Sequence, residues 1–280
     1  MAGLDWTPWL GKARDEVDWV TASHVAAWNA TFDRDVPFPN EDDRAPIGFH
    51  WALFPPLARA SDLGDDGHAR TGTFLPPVPL PRRMWAGSRI RFHHPLHVGG
   101  RVDRRSVVSL IVEKASRTGP LIFVTVRHSL TSNGLLALEE DQDLVYRDAA
   151  SADANSVAEP SPTGAWRRTV NPDETLLFRY SALTFTGPRI HYDRRYAEET
   201  DGYPGLVVHA PLIATLLLQL LTERKPDNTV TRFQFKARRP TFDVAPFEIH
   251  GDPTEDPSSV RLWSTSARGE TAVEAEAWIK

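Results

Sequence analysis

The chain has no cysteine, which removes disulfides, thiolate nucleophiles and cysteine-based zinc or iron–sulfur sites together. It also lacks any apolar run near the roughly 20 residues that span a bilayer. Its opening residues, MAGLDWTPWLGKARDE, do not have the basic-then-apolar layout of a secretory leader. The expected location is therefore cytoplasmic, with no membrane partner. Basic stretches are missing too: 32 Lys and Arg stand against 37 Asp and Glu, a net charge of −5, so nucleic acid is not an expected partner. No Gly-x-Ser-x-Gly, phosphate-loop or dinucleotide fingerprint occurs, which leaves hydrolase, kinase and nicotinamide-dependent readings without support. What is present is 280 residues, 41% of them hydrophobic, enough for one large or two ordinary domains with real cores.

The sharpest break in composition is 149–164, AASADANSVAEPSPTG, small, polar and short of apolar material, which reads as a linker. Each side of it repeats one order of elements. After it, 206–221 is apolar almost all the way round and predicts a helix buried on most faces. Strands are predicted over 229–237, 246–250, 260–266 and 271–279, divided by Gly251-Asp252-Pro253 and Arg268-Gly269. Before the linker, 47–60 predicts a poorer helix because of Pro55-Pro56. Strands follow over 89–93, 102–113, 121–131 and 135–146, the last two joined at Asn133-Gly134. Residues 75–81, LPPVPLP, read as a loop over this first unit. Two local matches suggest duplication: 90–98 aligns with 235–243, and His50 stands opposite His209 at the head of each predicted helix. A duplicated α+β unit with an antiparallel sheet curled around one helix fits these observations, and so do two unrelated α+β domains.

Residues 179–212, RYSALTFTGPRIHYDRRYAEETDGYPGLVVHAPL, carry the chemistry. They read as a strand, a Gly-Pro break, a short helix, a glycine-rich turn and the buried helix. His191 falls at the break, and Asp193 can cap the short helix that begins near Arg194. With an ordinary pKa near ~6.5, such a histidine suits proton transfer at neutral pH. Gly202-Tyr203-Pro204-Gly205 leads into the buried helix, whose start would offer free N–H groups near Val208–Pro211, Pro211 itself having none. A thioester carbonyl placed there would be polarised toward an enolate, the charge that develops when water adds to a conjugated acyl thioester.

These residues carry a resemblance. The segment resembles the hydratase motif of MaoC-like hotdog enzymes, most closely the type 2 hydroxyacyl-thioester dehydratases and the mesaconyl- and itaconyl-CoA hydratases. PRRMWAGSRIRFHHPLHVGG looks like the first, non-catalytic hotdog of the same proteins. The resemblance implies an α+β double hotdog, two antiparallel sheets each wrapped around a central helix, with a first unit of FAS1-like dehydratase type at 1–148, the linker at 149–164 and a catalytic MaoC-like unit at 165–280. It implies that His191 is the catalytic histidine and that the Ala210 backbone N–H is the oxyanion donor. Many relatives have an Asp five residues before that histidine; here the position is Thr186, which can hold a water but cannot act as a carboxylate base.

The expected function is reversible hydration of a short or branched enoyl-CoA, of mesaconyl or itaconyl type, with coenzyme A present only as part of the substrate and no cofactor or metal. An acyl-CoA thioesterase using Asp193 or Glu198, and a degenerate acyl-CoA-binding or scaffold subunit, stay open. The candidate catalytic residues are His191, Thr186, Ala210, His209 and Asp193. Candidate substrate contacts are Arg189, Tyr180, Arg179, Gly205 and Arg194, since guanidinium groups bind phosphates and carboxylates bidentately; Arg82/Arg83 and Arg238/Arg239 rank below them. His93-His94 and His97 lie on a strand interrupted by Pro95 with no carboxylate partner, so no metal is expected there. A homodimer is implied by the fold analogy.

Overall fold

The computed structural model describes residues 4–116, 119–148 and 161–280. Ten strands, β1 (Ala13–Trp19), β2 (Arg82–Phe92), β3 (Arg101–Ser116), β4 (Gly119–Ser132), β5 (Leu135–Arg147), β6 (Trp166–Val170), β7 (Val230–Ala237), β8 (Phe247–Pro253), β9 (Ser259–Thr265) and β10 (Thr271–Ile279), form one sheet in the order β1-β3-β4-β5-β2-β7-β10-β9-β8-β6. All its pairings are antiparallel. The period-2 pattern explains the strands: Ile122, Val124, Val126, His128 and Leu130 of β4 are buried, as alternation across a pleat requires.

The expected pair of separate sheets is corrected to this continuous one. β2 and β7 join the two halves, from Gly87↔Lys236 to Arg91↔Arg232. A Cβ on Gly87 would stand 2.3 Å from the Phe235 carbonyl oxygen, so the seam closes there only with glycine.

The expected helix over 47–60 is also corrected. Only Phe49–Ala52 forms a single 3-10 turn, and Pro55-Pro56 lead the chain away. Instead α1 (Ala22–Thr31), capped by the Thr21 side chain on His24 N–H, packs against α2 (Glu174–Leu183). In the second half α3 (Ala210–Arg224) lies against β8, β9 and β10, with every residue from Pro211 to Leu221 buried. It starts later than expected because Val207 and Val208 stay extended, their N–H groups given to Ile190 and Thr241 carbonyls.

Residues 75–81 form a loop whose Val78 and Leu80 bury against Val108, Val124 and Val126. The predicted linker falls, over 149–160, outside the described residues. His93, expected to lack a carboxylate, lies 3.1 Å from Glu139 on the surface.

Candidate functional site

The strand expected at the start of 179–212 is instead the end of α2, which runs to Leu183. Asp173 caps that helix by accepting from Leu176 N–H. Thr186 N–H then bonds back to Ser181 carbonyl at 2.8 Å and Phe185 N–H to Ala182 at 3.4 Å, the two-bond closure that needs a left-handed residue. Phe185 takes that place with φ +50°, a conformation costly for a non-glycine residue. The turn presents Thr184 and Thr186 side by side, hydroxyl oxygens 2.7 Å apart. Thr184 donates to Tyr180 carbonyl at 2.8 Å, so Thr186 must donate to Thr184. The lone pairs of the Thr186 oxygen are then the part left for a water.

His191 ends a short 3-10 turn, Arg189–His191. Its Nδ1 lies 2.7 Å from Val207 carbonyl oxygen; a carbonyl only accepts, so Nδ1 carries the proton and Nε2 keeps its lone pair. Burial pushes its pKa down to about 4, with the Val207 hydrogen bond opposing and His68 adding to the depression. What exposure the ring retains is to a cavity. Its face stacks on His209, with centroids 3.7 Å apart and planes at 18°, and His209 is fixed in turn by Ser181 Oγ at 2.9 Å from Nε2. Burial, with His191 adding, drives His209 well below its ordinary value. Both rings are neutral at neutral pH.

The cavity, of about 930 Å3, lies between the halves and is lined by Thr186, His191, His209, Ala210 and Tyr180 from the second and by His50, His68, Glu140 and Arg104 from the first. Ala210 N–H, first in α3, has no intrahelical acceptor. With the Val208 N–H engaged, the free donors expected near Val208–Pro211 narrow to His209 and Ala210. Tyr180 is buried, its ring 4.9 Å from His209.

Several predicted contacts lie elsewhere, and their partners explain why. Asp193 caps Tyr196 N–H, as predicted, but its other oxygen takes both Nε and a terminal nitrogen of Arg189; neither residue lines the cavity. Arg194 is held by Glu174 and Asp243, and Arg179 by Ala30 carbonyl. Gly205 packs on Asp243 and Val244, outside the cavity wall. The arginines that do line it include Arg14, Arg83, Arg104 and Arg238, of which only Arg83 and Arg238 figured in the sequence reading, and there as weaker candidates.

Sequence reasoning missed the first half's contribution. Gly67, at φ +83°, lies so close to Gly187 that a Cβ would be 2.0 Å from the Gly187 carbonyl oxygen, and Arg189 N–H bonds to Asp66 carbonyl at 2.9 Å. This contact delivers His68 to the cavity, its Nδ1 2.8 Å from Asp66. Glu140, buried, lies 3.4 Å from His50 Nε2 and accepts from the Trp51 indole N–H at 3.1 Å. His50 and His128 hold Glu140 at about 2 against the pull of burial. Only the alignment of His50 with His209 hinted at this group.

The hydroxyacyl-thioester dehydratase type 2 family model matches residues 48–243. The chain is 43% identical over 277 residues to the mesaconyl-C(4)-CoA hydratase of Chloroflexus aurantiacus, covering 98% of each. Among solved structures it is similar to a MaoC-like dehydratase from Phytophthora capsici (TM-score 0.71, 12% identity, 96% of each chain). It is also similar to a Mycobacterium tuberculosis protein described as a double hotdog (TM-score 0.59, 14% identity, 97% of this chain and 96% of that one). At those identities the likeness to structures shows the fold alone: a double hotdog.

Proposed function

The chain belongs to the hydroxyacyl-thioester dehydratase type 2 family, and from that premise we propose that it reversibly hydrates the double bond of a short or branched enoyl-CoA. The observation that carries this reading is one cavity holding both an imidazole lone pair at His191 Nε2 and an Ala210 N–H with no acceptor among the described residues. Water sits between His191 Nε2 and the Thr186 oxygen. His191 takes one proton as the oxygen adds to C3; negative charge collects on the thioester oxygen at the Ala210 N–H, assisted by His209 N–H; the imidazolium then returns the proton to C2. Dehydration runs the same steps backward. His209 acts by fixing the plane of His191. Proton transfer and carbonyl polarisation suffice, so coenzyme A enters only as part of the substrate. The unit at 1–148 supplies the far wall and the unit at 165–280 the chemistry.

The relative named for mesaconyl-C(4)-CoA supports a dicarboxylic, branched acyl group here. The thioesterase reading loses its residues: Asp193 is taken up by Arg189 and Glu198 lies 3.5 Å from Arg194.

Incubation with crotonyl-CoA and mesaconyl-CoA tests the reading. Loss of the enoyl absorbance without free thiol is expected, whereas thiol release would mean hydrolysis and no change would mean a binding subunit. His191→Ala should lower kcat about 10³-fold; a variant as fast as wild type overturns the mechanism. Thr186→Val, which removes the oxygen that holds water, should lower kcat roughly 10-fold.

A further inference from the structure

Beside the main cavity lies a side pocket of about 150 Å3, which shares His68, Ala69 and Arg83 with it. Two of its groups are placed as if for an anion. Tyr146, 2% exposed, has a buried hydroxyl that no acceptor takes up; its neighbour is the Arg83 guanidinium, itself only a donor. Burial keeps that phenol protonated by pushing its pKa up, so it is a donor in search of an acceptor.

Directly across the β2–β5 ladder stands Arg83, half-buried, with no carboxylate in ion-pair distance among the described residues. Other arginines of the main cavity are engaged: Arg14 and Arg104 share Glu16, Arg238 pairs with Glu274, and Arg147 and Arg239 have partners of their own. Asp66, the nearby acid, spends both oxygens on His68, one on the backbone N–H at 3.0 Å and one on Nδ1.

We propose that this side pocket receives the free carboxylate of a dicarboxylic acyl group, with Arg83 and the Tyr146 hydroxyl as its donors. The inference rests on the acyl-thioester reading above and names the substrate class for that site. A coenzyme A phosphate is the other anion with suitable chemistry, but position favours the carboxylate. In a mesaconyl thioester the free carboxylate is attached to the carbon that water attacks, so it must lie beside His191. The side pocket does so, because its His68 is carried on the loop whose Gly67 packs on Gly187 and whose Asp66 holds Arg189 N–H, two residues from His191. The pantetheine arm puts the phosphates at the opposite end of the substrate.

Binding separates this inference from turnover. Affinities for methylsuccinyl-CoA, the saturated dicarboxylic analogue, and for butyryl-CoA, which has the phosphates but no carboxylate, are measured by calorimetry on wild type and Arg83→Met. The wild type should bind methylsuccinyl-CoA on the order of 30-fold more tightly, and Arg83→Met should bring the ratio near one, with Arg83→Lys restoring part of it. Equal weakening of both ligands would assign Arg83 to a phosphate and overturn the proposal, as would an unchanged ratio or no preference in the wild type. Tyr146→Phe, which removes one hydroxyl, should lower the ratio about fivefold and decides the matter if Arg83→Met does not fold. Hydration of crotonyl-CoA by the wild type reports separately on the hydratase reading.

Discussion

In the second half of the sheet α3 fills the hollow with eleven successive buried residues, Pro211 to Leu221; at the matching point of the first half stands one 3-10 turn, Phe49–Ala52, and the volume left over is cavity. The polar groups differ in the same sense. In the first half Glu140 lies 3.4 Å from His50 and accepts from the Trp51 indole N–H, Ser106 Oγ lies 2.8 Å from His128, and Arg104 is paired with Glu16. In the second half His191 has a neutral carbonyl behind it and nothing on Nε2. A compensated charge holds shape, whereas an uncompensated lone pair facing a cavity is available for reaction. The two halves thus differ in what fills them: the first leaves open space where the second holds a long buried helix whose start borders the cavity.

That contrast is open to attack. Glu140→Ala should destabilise the fold by about 3–5 kcal/mol, because it strands buried histidines and the Trp51 N–H, while His191→Ala leaves the urea midpoint nearly unmoved. Comparable losses from both would erase the distinction between a structural and a chemical half.

Acid should sharpen it next. His128 and His191 are held near 4, below 6.5, so the unfolded chain takes protons first and stability falls as pH drops from about 6.5 to 4. The depressed Glu140 contributes stability above 4.5 that is lost between there and about 2. Calorimetric midpoints should therefore fall in two stages, the histidine stage first, and His128→Gln should shrink the first stage most and, because His128 helps hold Glu140 down, the second as well. The smallest effect is expected at Phe185→Gly, where relief of the left-handed backbone should raise stability by up to about 1 kcal/mol, read as a small rise in Tm.

Eight strands were legible because their alternation is local: 135–146 predicted, Leu135–Arg147 found. β1 and β6 were not, since Ala13–Trp19 and Trp166–Val170 are short, charged edge strands whose pairing partner, not their pattern, makes them strands. α2 is hidden when the motif is taken from Arg179, which lies inside the helix. Asp173 as cap, with Leu177, Tyr180 and Ser181 at helical spacing, was the available signal. His191 and Ala210 sit on a contiguous motif and could be found by reading along the chain. His68, Asp66 and Arg83 reach the site only through tertiary contact between halves, which no local period encodes, and the arginines nearest the motif have partners of their own.

The close approach of Gly67 to Gly187 has a consequence for how this protein can vary. Neither residue has a side chain to react or bind, yet the backbone of each leaves no room for a Cβ on the other, and together they set how far the first half's loop stands from the turn that carries His191. The halves are consequently not interchangeable parts: a unit borrowed from a relative would carry its own loop depth and misplace a wall of the cavity even with every chemical residue intact.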